Sequence, residues 1–209
     1  MNRIATALIG ATLLSACQSM NDSGGMDRPE PTRVLLRDDF TDNASNWFIG
    51  AEPGAYAFQV TDGEYFLRSL NPQGVVAWKS VPVPDEGDFI MQVALRSYRS
   101  EDDLGYGFCW GGDGGDRRFC LFLSRDRQYT VFRRNGSEIR EYVPWTGSSG
   151  IDSADNEVVI RRDDDVLRYA INGKVWGGIP WEPFFGDRLG FAGDGEQDFA
   201  VEALTVLVP

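Results

Sequence analysis

The sequence predicts an all-β protein built as a two-sheet antiparallel sandwich, and three observations predict it. From Val34 onward, short runs rich in Val, Ile, Phe, Tyr and Trp are separated by Gly, Asp, Asn and Pro, a spacing that suits strands. Within those runs apolar residues alternate with a period of two. Hairpin-turn dipeptides join several of them, and no stretch carries the 3.6-residue period of an amphipathic helix.

The first element is an address. After Arg3 the chain has an apolar run of 11 residues, Ile4 to Leu14. A bilayer span needs about 20 apolar residues, so this run reads as a secretory h-region and not as a transmembrane helix. Leu14-Ser15-Ala16-Cys17 follows at once and resembles the lipobox of bacterial lipoproteins. The resemblance implies that residues 1–16 are removed as a signal peptide and that Cys17 carries the lipid. Several acyl chains on one residue meet the requirement of more than one lipid signal for a stable anchor. Membrane contact is then through lipid only. Gln18 stands where, by the lipoprotein sorting rule, an Asp would favour the inner membrane, so the expected location is the outer membrane, on its periplasmic or surface face.

Residues 17–33 read as the lipidated cysteine and a polar tether rich in Gly and Pro. Sixteen flexible residues reach about 20–25 Å. Residues 34–209 are assigned to one β-sandwich domain. In it, Phe89, Met91, Val93 and Leu95 share one face of a half-buried strand. The runs 156–162 and 166–171 form a hairpin around Asp163-Asp164-Asp165. Asn172-Gly173 is the strongest hairpin signal, since both positions favour positive φ, and Lys174-Val175-Trp176 starts the return strand. Asn135-Gly136 marks the same turn between strands at 129–132 and 139–142.

Several segments resemble concanavalin A-like lectin/glucanase domains, which include laminin-G-like modules. They are Asp38-Asp39-Phe40-Thr41-Asp42-Asn43, Trp47, Val60-Thr61-Asp62-Gly63-Glu64-Tyr65, Tyr106-Gly107-Phe108-Cys109-Trp110-Gly111, Trp145-Thr146, the run 156–162, Tyr169-Ala170-Ile171-Asn172-Gly173 and Leu189-Gly190-Phe191. The resemblance covers about Leu35 to Val206 and implies a jelly-roll sandwich. That sandwich hosts binders, adhesion modules and hydrolases alike, so it does not fix a function. The glucanase branch needs acid and nucleophile carboxylates about 5 Å apart on an ExDxxE strand. Glu138-Ile139-Arg140-Glu141 is the nearest arrangement; it lacks the middle aspartate and reads as a solvated strand face.

Composition removes other classes. A formal charge of −12 gives no field for nucleic-acid phosphates. The chain has no histidine, which excludes Ser/His/Asp and Cys/His nucleophile systems and imidazole metal ligands. Lys79 and Lys174 are the sole lysines among 20 basic residues. The arginine excess has two readings, genome composition or a choice of guanidinium for gripping carboxylate and phosphate.

Cys109 and Cys120 lie on two arms of a hairpin around Gly111-Gly112-Asp113-Gly114-Gly115-Asp116. In an oxidising compartment they are expected to form a disulfide on one face, with Phe108, Trp110, Phe119, Leu121 and Leu123 on the other; the alternative is a free buried pair. The glycine-aspartate loop resembles one unit of the calcium-binding nonapeptide repeat, a motif that works by stacking copies. A hairpin tip is its first reading; Asp113 and Asp116 with carbonyl oxygens are its second, as a structural calcium site. No other cofactor is expected. Asp163-Asp164-Asp165 likewise reads first as a turn.

Of six tryptophans, Trp47 and Trp145 fall where the family pattern has a core tryptophan, and Trp110 shares parity with Phe108. Trp78, Trp176 and Trp181 are free of that assignment, and an indole face can stack on a sugar ring. Trp176 and Trp181 flank Gly177-Gly178-Ile179-Pro180, read as a loop. The face opposite Met91 is expected to carry Gln92, Arg96, Tyr98, Phe122 and Arg168, and in this fold such a face is often the concave one. Arg96, Tyr98, Trp176 and Trp181 are therefore the candidate carbohydrate-binding residues, against a plain solvated sheet face. No catalytic residue is assigned. The expected function is a lipid-anchored envelope protein with a non-catalytic module that binds polysaccharide or peptidoglycan. The alternatives are a glycan hydrolase or lyase of the 3-keto-disaccharide hydrolase type and a scaffold that binds a protein partner.

Overall fold

The computed structural model describes residues 33–84, 86–99 and 103–209. The signal segment 1–16 and Cys17 lie outside the described residues. The strands are β1 (Arg33–Asp38), β2 (Gly50–Glu52), β3 (Tyr56–Thr61), β4 (Glu64–Ser69), β5 (Val75–Ser80), β6 (Ile90–Arg99), β7 (Tyr106–Gly112), β8 (Arg117–Leu123), β9 (Gln128–Asn135), β10 (Glu138–Gly147), β11 (Asp155–Asp163), β12 (Val166–Ile171), β13 (Val175–Pro180), β14 (Arg188–Gly193) and β15 (Gln197–Val208). No helix occurs among the described residues.

These strands form two antiparallel sheets. One has nine strands in the order β13-β12-β11-β6-β15-β4-β3-β2, with β1 also paired to β15; the other has six, β10-β9-β8-β7-β14-β5. The period-two alternation decides which residues meet between them. Met91, Val93 and Leu95 on β6, with Phe89 just before it, are buried in the main core, as are Val158 and Ile160 on β11. Phe108, Trp110, Phe119, Leu121 and Phe191 oppose them from the six-stranded sheet. Each large side chain so buried stabilises the fold by about 1.5–3 kcal/mol before its ordering entropy is charged.

The Asp38-Asp39-Phe40 opening has a local purpose. Asp38 Oδ1 accepts the Phe40 amide at 2.9 Å, and Asp38 Oδ2 accepts the Trp47 indole N–H at 2.8 Å. That pair of bonds holds Phe40 at φ 53° and satisfies the buried Trp47, whose ring lies against Tyr65 and Phe191. Trp47 and Trp110 are core residues, as expected.

The turns follow their residues with one shift. Asn172 and Gly173 both take positive φ, and Lys174 N–H donates to Ile171 O at 2.9 Å, a type I′ turn. Asp163 pairs with Val166, so Asp164 and Asp165 make the β11–β12 turn. At the β9–β10 hairpin Asn135 pairs with Glu138, so Gly136-Ser137 occupy the turn, one residue later than the sequence suggests. Gly136 has positive φ and Ser137 does not, the glycine-first II′ arrangement.

Two further expectations are corrected. Residues 177–180 are not a loop; they belong to β13. Glycine is required at 177 because a Cβ there would stand 2.1 Å from the Tyr169 hydroxyl. Trp145 is not in the core. It is 39% exposed and lies on β10, the outermost strand of the six-stranded sheet, where no residue is fully buried. Tyr142 and Val143 of the same strand pack on the core, whereas Trp145 turns to the outer face of the sheet, beside Gly105 and Phe122.

Candidate functional site

The residues singled out from the sequence do not converge. Arg96 and Tyr98 are on the outer face of the nine-stranded sheet, but their polar groups are already committed. Arg96 meets Glu64 at 3.0 Å, Asp155 at 2.5 Å and Glu202 at 2.6 Å, contacts that raise the guanidinium's pKa, led by the Asp155 bond. The Tyr98 hydroxyl donates to the Glu64 carboxylate, and its ring leans on Phe66. Trp176 is 44% exposed on the edge strand β13. It sits three strands over from β6, in the row of Gln92, which places it roughly 20 Å from Arg96 on standard strand spacing. Trp181 packs on Phe89 and Phe184 beneath the Arg162 guanidinium. Arg168 is paired in register with Arg161, opposite Ile90 at the far end of β6. Phe122 belongs to β8 in the other sheet, correcting its placement beside Gln92.

Asp113 and Asp116 show hairpin chemistry. Asp113 accepts the Gly115 amide at 2.9 Å and binds Arg117 at 2.7 Å, so its carboxylate completes the turn. No group of three acidic, cysteine or histidine side chains suited to a metal occurs among the described residues.

The outer face of the six-stranded sheet gathers a different set. Cys109 and Cys120 stand opposite each other and are joined by a disulfide. With Phe122 and Ala192 they form a second buried cluster, against which Val76, Trp78 and Phe132 pack. An outward sheet face is ordinarily polar; this one has an apolar floor. Glycines thin that floor and let rings lie flat on the backbone. A Cβ at Gly190 would approach Trp78 to 2.5 Å, and one at Gly105 would approach Phe122 to 2.7 Å and Trp145 to 3.1 Å.

Beside the disulfide the face opens into a pocket of about 140 Å³ lined by Arg118, Phe122, Thr130, Phe132, Arg134, Ile139, Glu141, Trp145 and Asp194. Its floor and one wall are aromatic. Its charged groups are two guanidiniums and two carboxylates. Burial, and then the Arg134 charge, hold the Arg118 guanidinium below its ordinary pKa. Asp194 is exposed at the rim; partial loss of solvent raises its carboxyl, and Arg134 and Arg118 pull it back.

Sequence reasoning missed Arg118, Arg134 and Asp194, read Glu141 as part of a solvated strand face and misplaced Trp145. A signal was present. The parity that puts Cys120 on one face also puts Arg118 and Phe122 there, and pairing across the β9–β10 hairpin brings in Ile139 and Glu141.

The sequence matches no protein-family model and no curated protein. Solved structures do share the fold. A protein of unknown function with a galectin-like fold from Bacillus subtilis aligns at TM-score 0.62 and 12% identity, covering 86% of this chain and 97% of its own. The Bacillus licheniformis beta-glucanase aligns at TM-score 0.60 and 8% identity, covering 86% and 100%. The CBM2 module of the Lactobacillus casei BL23 phage J-1 evolved Dit aligns at 0.57 and 12%, covering 83% and 94%. The chain therefore has the jelly-roll fold of the lectin and glucanase sandwiches.

Proposed function

We propose that this chain is a carbohydrate-binding envelope module, anchored through a lipidated Cys17, with its ligand site on the outer face of the six-stranded sheet. One observation carries the reading: an apolar, aromatic sheet face opens into a pocket whose polar groups are a few arginines and carboxylates beside an exposed indole. Aromatic rings offer flat stacking surfaces to a sugar, and a small number of polar groups around them fix its orientation. Structural neighbours named as a carbohydrate-binding module and as a glucanase support the ligand class.

A second reading, a glycan hydrolase, draws on Glu141 and Asp194 lining one pocket. Glu141 is on the edge strand β10 and Asp194 directly follows β14, the fifth strand of the sheet. Glycosidases hold their two carboxyl groups about 5–10 Å apart, so this reading requires Glu141 and Asp194 to approach that closely across the pocket.

The test is a polysaccharide panel, including peptidoglycan, offered to the purified protein. Tryptophan fluorescence reports binding, and reducing-sugar release reports turnover in the same wells. Binding without release, lost in Trp145→Ala, supports the proposal. Release abolished by Glu141→Gln would establish the hydrolase instead, and silence in both channels would transfer the weight to a protein partner. The anchor has its own test: Cys17→Ser should release the protein from membranes or leave its signal uncleaved.

A further inference from the structure

Arg118 on β8 and Arg134 on β9 are directly paired across the strands. Like charges so placed repel, at a cost to the sheet. The Arg118 side chain is only 11% exposed, and its ion pair with Asp116 is long, at 3.9 Å. The Nε–H groups of both arginines are buried without a hydrogen-bond acceptor. A buried charged donor left unpaired is costly.

Other arginines of this acidic chain are treated differently. Arg68 is held by both oxygens of Asp198 at 2.9–3.0 Å, Arg96 by three carboxylates and Arg140 by Glu182; Arg133 also reaches Glu182, although its Nε–H is likewise buried without an acceptor. With 32 acidic residues in the sequence, carboxylates are plentiful, yet among the described residues the long 3.9 Å contact with Asp116 is the one ion pair made by either Arg118 or Arg134. Two forks of N–H donors in a half-buried, low-dielectric setting match the planar oxygens of a carboxylate or sulfate.

We propose that this pocket selects an anionic saccharide, its carboxylate or sulfate ester held by Arg118 and Arg134 while the sugar ring rests against Trp145. The inference rests on the saccharide-binding reading and specifies its ligand class. Glu141 and Asp194 then serve as acceptors for sugar hydroxyls at the rim. The charge of a bound anion offsets the desolvation penalty on the Arg118 guanidinium.

Matched probes test this. An acidic oligosaccharide panel of oligogalacturonate and oligoguluronate is titrated beside its methyl esters, and a sulfated galactan beside its desulfated form, by calorimetry on purified protein. Acid or sulfate is expected to bind at least tenfold tighter than its neutral partner, with affinity falling as salt rises. Which pair shows the gap identifies the anion. Arg118→Met and Arg134→Met keep the aliphatic stem and should erase the gap without unfolding the protein, checked by melting temperature; Trp145→Ala should weaken charged and neutral forms alike. Equal binding of acid and ester, unchanged in both Met variants, would overturn the anion clamp and leave the saccharide reading standing. Binding of none of the probes, together with silence in the wider panel, would overturn both.

Discussion

Arg118 and Arg134 face each other across adjacent strands, with no acceptor for either buried Nε–H. The facing like charges are a local conflict in the sheet, and such conflicts concentrate where a site is built for a ligand. Arg134→Met should therefore raise stability by about 0.2–1 kcal/mol in the absence of ligand, while weakening binding of the acidic probes. Urea denaturation at low and high salt checks it: the gain should shrink as salt screens the repulsion. A loss of stability at both salt levels would show that Arg134 is held by contacts that matter more than its charge.

The Cys109–Cys120 bond closes a short loop, with a sequence separation of 11, and both residues are fully buried. Constraint of the unfolded chain by such a loop is worth about 2–4 kcal/mol. The Cys109→Ala/Cys120→Ala protein should fold with a midpoint lowered accordingly, and the native protein should resist mild reductant because neither sulfur is accessible. Rapid reduction under native conditions would contradict the burial.

Gly177 sits where a Cβ would meet Tyr169 at 2.1–2.2 Å. Tyr169 cannot easily retreat, since its hydroxyl lies 3.4 Å from that of Tyr129 within the core. Gly177→Ala should cost about 1–3 kcal/mol by overpacking. Thermal unfolding measures it, and Tyr169→Phe should recover part of the loss by removing the clashing oxygen.

Asp194 gives a pH signature. Partial loss of solvent raises its carboxyl above the ordinary value of 3.8, against the opposing pull of Arg134 and Arg118. A carboxyl whose folded pKa exceeds its unfolded one costs the folded state stability once pH is above both, and the cost vanishes as pH falls through the folded value. Asp194→Asn should thus be more stable than wild type at pH 7, and the difference should close below about pH 3.8. A gap that persists at low pH would assign the effect to packing and not to charge.

Much of this fold was legible because its signals are local. The alternation at Phe89–Leu95, the Asn172-Gly173 turn and the cross-strand cysteines each depend on neighbours a few residues apart. The pocket depends on residues that meet through strand order: Arg118, Arg134 and Trp145 come from β8, β9 and β10, and Asp194 directly follows β14, and no local spacing announces that meeting. Trp145 illustrates the difficulty. Two register irregularities flank Val143 on β10, and bulges of that kind re-aim side chains. Arg96 misled for the opposite reason: a guanidinium on an outward face suggests a binding group until Glu64, Asp155 and Glu202 are seen to occupy it.

The most direct test of the central claim is a nitrogen-15 indole spectrum of the purified protein, recorded as a bound oligosaccharide is titrated in. Of the six tryptophans, three mark the two outer faces, Trp78 and Trp145 on the six-stranded sheet and Trp176 on the nine-stranded one. The predicted result is that the Trp145 resonance shifts most and Trp78 follows, while Trp176 stays in place. Movement of Trp176 with Trp145 and Trp78 unmoved would contradict it and place the ligand on the opposite sheet.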